Sequence, residues 1–460
     1  MTSTISIDFH SVLCPDFLGL NGTYHGFAFM PEQVNRGMND ADRAREFERV
    51  GQLGLNIART WYRPDWACGA GLDQPYDWHS TKMEAFTRWL AEMQRLGVDV
   101  ALQAGWWFTR DTYYGFDSPE PARDIPLYTR WVSESLHELI EVRGFTHIKY
   151  LILLTEPTSY ESGQVPAGEQ QWPYYVKGMR ALDAQLRADS RRGLVKLVGP
   201  NNSFGGVHLA EAVQELDEVI DIYSGHDYNY PGYAEWHALC RRMQALAAPT
   251  GKPVWLDEYG KQDEAYRLTA DYGNYIAQAA AASINAGNQA SIIWLLLDQQ
   301  YVSVDLSNVN TAHGQDSFYH GVHRWGLCKW PADEIDQPTH PYPHWYAFSL
   351  LSRALGGRNG TASHPVTFDG QVVGAATSQG EDASIVVVNL SHALETVAVR
   401  LAGRLARPLR RFVYDPGVVV PAEDAALLKP SKWVQPPGQG FSDVLPPRAV
   451  VVYTTREDLE

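Results

Sequence analysis

Ile148-Lys149-Tyr150-Leu151-Ile152-Leu153-Leu154-Thr155-Glu156-Pro157 decides how this chain folds. The apolar part is too short for an ordinary helix, and it stops abruptly at a carboxyl followed by Pro. A short apolar run of this kind reads as a strand buried on both faces, which is how strands of parallel sheets look.

The same form recurs on either side of it. Further strands are read at Phe17 to Leu20, Asn56 to Thr60, Asp99 to Gly105, Val195 to Gly199, Ile220 to Ser224, Val254 to Asp257 and Ser291 to Leu297. Segments of helical period lie between them: Asp40 to Leu53 opens with Asp caps, and Met83 to Leu96 closes on Gly97. Pro126 to Arg143, Tyr174 to Ala188, Tyr233 to Ala248 and Ala265 to Ala286 follow the same rule. Strands that alternate with helices predict an α/β chain closed as a (β/α)8 TIM barrel. The alternative, a doubly wound sheet, is disfavoured because no GxGxxG follows the first strand.

Pro343 to Leu355 reads as the closing helix, ended by Gly356-Gly357. Beyond it, Val372-Val373, Ser384 to Asn389, Thr396 to Leu401 and Ala449 to Thr454 are short strands separated by turn residues. The expected organisation is a catalytic barrel over residues 1–358 and a small C-terminal β-sandwich over residues 359–460.

Composition excludes several classes of function. A formal net charge of -16 leaves no broad basic face, so nucleic acid is not an expected partner. No apolar run approaches membrane-spanning length, and the opening residues lack the basic and apolar regions of a signal peptide. A cytoplasmic protein without a membrane partner is expected. Cys14, Cys68, Cys240 and Cys328 show no CxxC spacing, which argues for buried thiols over a zinc site. No HxH pair ends the first strand either, so neither a metal nor a cofactor is expected. The 15 Trp residues exceed what a core requires, and sugar rings are ligands that offer an apolar face to an indole. A carbohydrate is the expected partner, while oligomeric state leaves no trace in the sequence.

In a barrel of this kind the site lies at the carboxyl ends of the strands, so residues ending different strands meet. The fourth strand ends in Thr155-Glu156, a carboxyl after an apolar run, which suits a proton donor. The seventh ends Trp255-Leu256-Asp257-Glu258-Tyr259-Gly260, making Glu258 the nucleophile candidate. On the sixth, alternation places His226 and Tyr228 on one side, where the phenol reaches Glu258. Arg59, ending the second strand before Thr60-Trp61, is expected beneath Glu258, and Trp294 on the eighth is a platform for the reacting sugar.

These residues, in this order and on these strands, resemble glycoside hydrolase clan A, and the resemblance spans the barrel. Arg59, Glu156-Pro157, His226-x-Tyr228, Glu258-Tyr259-Gly260 and Trp294 look most like family 5, while the ending Leu445-Pro446-Pro447-Arg448-Ala449-Val450-Val451-Val452-Tyr453 resembles the accessory domain of families 30, 39 and 51. The resemblance implies a retaining enzyme, with Glu156 as general acid/base, Glu258 as nucleophile and their carboxyls roughly 5 to 5.5 Å apart. Two departures stand out. Thr155 occupies the place where the clan usually has an Asn that contacts the sugar 2-hydroxyl. Gly105-Trp106-Trp107 stands where family 5 often has His.

Singly, each residue has a plainer reading: Glu156 as a helix-start carboxylate, Glu258 as an ion-paired structural group, His226 and Trp294 as core. Two strand-end carboxylates together favour chemistry. Thr155, Trp61, Trp106 and Trp107 are further candidates for substrate contact, and Trp66, Tyr113, Tyr160, Trp172, Tyr230 and Trp325 are either subsite walls or loop anchors. Aromatic loops after the second to fourth strands favour exo action. The alternatives are an endo-acting glycanase, a transglycosylase, or a non-catalytic carbohydrate-binding protein, which would have lost a carboxylate.

Overall fold

The computed structural model describes residues 2–24, 29–30, 38–68, 72–73, 75–104, 124–157, 168–228, 230–300, 322–330, 341–357, 360–405, 407–418, 428–434, 438–457 and 459. Eight parallel strands close into a barrel: Leu20–Thr23, Ile57–Tyr62, Asp99–Ala104, Ile148–Ile152, Lys196–Asn202, Ile222–Tyr228, Val254–Gly260 and Ala290–Ile293. All eight runs read from the sequence are there, shifted by a few residues at their ends. Among the described residues no helix is long and apolar enough to cross a membrane.

Helices follow every strand. Asp40–Leu53 starts at Asn39, whose side chain accepts from the amides of Ala41 and Asp42 while Asp42 reaches back, and it ends on Gly54 in the left-handed conformation. Thr81–Arg95 is capped by Ser80 and Ile125–Leu136 by Asp124. One helix reading needs correction, and one helix was not read from the sequence. Ala265 to Ala286 is two helices, Glu264–Arg267 and Asp271–Ala286, because Asp263 caps a single turn of its own and Thr269 bonds back to the Tyr266 carbonyl. Leu209–Glu215, after the fifth strand, was too short to show a period.

Inside the barrel, Ile57, Ala101, Tyr150, Ile152, Val198, Ile222, Trp255 and Ile292 fill the floor. They form the packed plug beneath the carboxyl ends that such barrels require.

The sandwich takes a strand from the other end of the chain. Ser3–Asp8 pairs parallel with Glu395–Leu405 and antiparallel with Val366–Asp369, so the first residues of the expected 1–358 unit belong to the C-terminal body. The alternation Ile5, Ile7 is the reason: both side chains are buried in the sandwich core with Val387, Val399 and Val451. In the six-stranded sheet the opposite alternation faces the barrel. Val386, Val388, Val450 and Val452 join the main core, beneath the helix Asp271–Ala286. That helix, buried along its whole length after Asp271, is covered by barrel and sheet together, which explains its run Ala279-Ala280-Ala281-Ala282. The interface is also hydrogen-bonded: Asn274 donates to the carbonyls of Asn389 and Arg448, and Asn285 to that of Gly374.

One buried acid makes stability depend on pH. Glu46, on the first barrel helix, is 3% exposed, and burial pushes its carboxyl up to about 7 against the opposing pull of the Arg49 cation. An acid whose folded pKa exceeds its unfolded one holds its proton more tightly when folded, so this contribution is complete below the ordinary carboxylate range and is lost as pH rises through 7. Glu46→Gln is therefore expected to stabilise the protein by up to about 3 kcal/mol at pH 8 and by almost nothing at pH 4.5. Thermal melts at both values check this, and an equal shift at each would refute it.

Candidate active site

The inward residues at the carboxyl ends of the strands form a single polar cluster. Arg59 is fully buried in its centre. Its Nε donates to Gln103 Oε1 at 3.0 Å, its Nη1 to the Asp257 carbonyl at 3.2 Å, and its Nη2 to Thr155 Oγ1 and Asn201 Oδ1, each at 3.4 Å. Nη1 also pairs with Glu258 Oε1. A buried guanidinium is tolerable because its donors are shared among four strands and one carboxylate neutralises it.

Strict alternation would aim only one of Asp257 and Glu258 at this cluster. The seventh strand carries an irregularity between Leu256 and Tyr259 in its pairing with the eighth, and its pairing with the sixth is displaced between Gly225 and Asp227. Bulges redirect side chains in this way beside functional sites. Both carboxylates consequently reach inward. Glu258 Oε2 accepts from Tyr228 Oη at 2.5 Å, and Asp257 takes His226 Nδ1 at 3.0 Å and the Asn201 side-chain amide.

His226 Nε2 lies 2.8 Å from Glu156 Oε1 and 3.7 Å from Glu258 Oε2. Glu156 itself has φ +44°, and its amide is held by the Asn201 carbonyl at 2.9 Å. A left-handed conformation is uncommon for a residue other than Gly, and such positions concentrate at functional sites. One carboxylate oxygen of each Glu and a nitrogen of His226 all lie within 4.8 Å of one another.

Electrostatics follow from this packing. Burial disfavours the His226 imidazolium, but the Glu258 charge and the bonds to Asp257 and Glu156 outweigh it, raising its pKa well above the usual histidine value. Burial works against charge on Asp257 as well, yet His226 and Arg59 hold its carboxyl below its ordinary range. The Tyr228 phenol is pushed far up by burial and then by Glu258, so it stays protonated and donates.

Aromatic rings wall the cluster. Trp61 and Trp294 pack at 5.3 Å between centroids, and Trp325 meets Tyr228 edge-on at 5.5 Å. Trp294 is joined to Leu295 by a cis peptide bond.

Solved structures with this architecture include a glycoside hydrolase family 30 subfamily 8 xylanase from Clostridium acetobutylicum, with a TM-score of 0.65 at 13% identity over 98% of this chain and 99% of that one. A family 39 β-xylosidase from Caulobacter crescentus scores 0.62 at 16% identity, again over 98% and 99%. A bifunctional glucanase-xylanase from a metagenome library scores 0.63 at 13% identity over the same shares. The chain shares their fold, an eight-stranded barrel with a β-sandwich. No family model and no curated protein matches the sequence.

At the carboxyl ends of these strands the structure brings together Arg59, Thr155, Glu156, His226, Tyr228, Glu258, Trp61 and Trp294. Both nitrogens of His226 are engaged, by Asp257 and Glu156, so it braces the Glu156 carboxyl group. Trp106, Trp107, Tyr113 and Tyr160 lie outside the described residues. Trp66 packs on Tyr62 and Phe86, Trp172 stacks on His208 and bonds Glu215, and Tyr230 meets Trp236, so these three anchor loops. Trp325 belongs to the site wall.

Sequence reasoning gave no part in the site to Gln103, Asn201 or Asp257. Asn201 had a signal, since Gly199-Pro200-Asn201-Asn202 ends the fifth strand at the height of Glu156. A cavity of about 420 Å³ lined by Gly54, Asn56, Arg353 and Arg456 lies at the opposite, amino-terminal end of the strands and takes no part in this cluster.

Proposed function

We propose that this protein is a retaining glycoside hydrolase that works by double displacement, removing single sugars from the end of a short glycoside. The observation that carries the reading is the pair Glu156 and Glu258, with carboxylate oxygens within 4.8 Å. So close an approach of one oxygen from each group fits the short carboxyl separation, ~5–5.5 Å, of retaining enzymes.

Glu258 attacks the anomeric carbon while Glu156 protonates the departing oxygen, and a glycosyl ester forms on Glu258. Glu156, now a carboxylate, takes a proton from water, which attacks the same carbon and frees the sugar with its configuration retained. Arg59 on one oxygen and Tyr228 on the other orient Glu258 and stabilise its negative charge. A cationic His226 beside Glu156 stabilises the carboxylate left when the proton departs. Thr155 and the rings of Trp61 and Trp294 contact the sugar. The indoles of Trp61 and Trp294 packed together beside the carboxylates favour a single stacked sugar ring, which supports exo action. The xylosidase and xylanases among the similar folds make β-xylosides the first substrates to try.

Release of chromophore from aryl pyranosides and furanosides of both anomers tests the reading, with Glu258→Gln run beside the parent. Cleavage of one sugar that the variant loses supports it. Binding of sugars without cleavage by the parent would establish the non-catalytic alternative.

Tyr228→Phe removes one charge-assisted hydrogen bond from the nucleophile. Such bonds are worth about 1.5–3 kcal/mol, so kcat is expected to fall roughly tenfold to a hundredfold while the melting temperature stays near that of the parent. An unchanged kcat removes the phenol from the reaction.

A further inference from the structure

We infer that Arg267 and Trp325 are positioning residues for the nucleophile, acting through Tyr228; this rests on the hydrolase reading above. Neither residue reaches Glu258 in the interactions that define the site, and nothing in the motif on the barrel strands includes them.

Arg267 closes the short helix Glu264–Arg267 that follows the seventh strand, and it is only 2% exposed. A buried guanidinium on that loop would ordinarily be matched by a carboxylate. Among the described residues its carboxylate partner, Glu264, is 3.9 Å away, beyond hydrogen-bond reach. Its Nε instead donates to the Arg324 carbonyl at 2.9 Å and its Nη1 to the Lys261 carbonyl at 2.5 Å. The Cζ atom of the guanidinium sits over the Trp325 ring, 3.8 Å from its centre. A desolvated cation over an indole face is among the stronger contacts of its kind.

Trp325 transmits this hold. Its ring meets that of Tyr228 edge-on at an interplanar angle of 81°. Its backbone carbonyl accepts from the Leu295 amide at 3.1 Å, next to Trp294. The position of the Tyr228 phenol oxygen beside Glu258 is set by the χ1 rotamer of the side chain, and the Trp325 indole packs against the ring in that rotamer. Arg267, coming from the loop of the strand that bears Glu258, thus clamps the eighth loop against the sixth strand. The nucleophile is fixed on one oxygen by Arg59 directly and on the other by the chain Arg267, Trp325, Tyr228.

The test is a double-variant cycle on the aryl glycoside that the parent cleaves best, using Arg267→Met, Tyr228→Phe and the two combined. Arg267→Met is expected to lower kcat roughly tenfold with KM within about twofold. Arg267→Lys, which keeps a cation, restores part of the loss. The combined variant is expected to be no slower than Tyr228→Phe alone, because the phenol through which Arg267 acts is already gone. A residue that only supports the fold would instead slow both backgrounds by the same factor. Multiplying losses, or a loss confined to KM, overturns the inference. If Arg267→Met does not fold, Trp325→Phe takes its place in the cycle with the same outcomes. A parent that cleaves no glycoside overturns the hydrolase reading along with this one, whereas a cleaving parent with additive variants overturns this one alone.

Discussion

Glu258→Gln is expected to abolish glycoside cleavage, with kcat falling on the order of 10^5-fold. The amide is nearly the same size and still meets Arg59 and Tyr228, so the fold and the pocket persist. What is lost is the electron pair that forms the ester. Arg59 then faces a neutral group in a buried site where its charge had been matched, and some stability is lost with the ion pair. Kinetics should therefore be measured on material whose melting curve is cooperative. Intact mass after reaction with a slow, activated fluoro-sugar gives an independent readout: the parent gains one glycosyl unit on the peptide that contains Glu258, and the variant gains none. Cleavage at more than a hundredth of the parental rate would remove Glu258 from the nucleophile role.

Glu156→Gln is expected to divide substrates by their leaving groups. Protonation matters most for a poor leaving group, so alkyl and sugar aglycones lose about 10^3-fold in kcat/KM. An aryl glycoside with an acidic phenol departs unaided and keeps a near-parental first step. Its second step slows because no base activates water, so the glycosyl ester accumulates and a burst of phenol appears before slow turnover. The limb of the pH profile contributed by the acid should vanish with it. Equal losses on good and poor leaving groups would mean that Glu156 supports the site without transferring a proton. The His226 brace predicts that the lesion stays local, because Asp257 still anchors the imidazole on its other nitrogen.

Much of this was legible in the chain. Strands of a parallel sheet are buried on both faces, so each reads as a short apolar run whatever its partners are, and the alternation of eight such runs with helices admits one closed topology. That topology brings all carboxyl ends together, which made Arg59, Glu156, His226, Tyr228, Glu258 and Trp294 legible as one set although up to 235 positions separate them. The spacing of residues within one strand also placed His226 and Tyr228 on a common face.

The tertiary structure alone decided the rest. Asp257 and Glu258 both reach the cluster because the seventh strand bulges between its neighbours, and a bulge depends on pairing registers that no local pattern reveals. Ser3–Asp8 joined the sandwich because Glu395–Leu405 offered it an edge nearly the whole chain away. Arg267 found Trp325, and Trp325 found Tyr228, across loops with no shared motif. Local sequence determines which residues prefer strand or helix and which face is apolar. The aim of a particular side chain is set by contacts between distant segments, and those form only when the whole barrel closes.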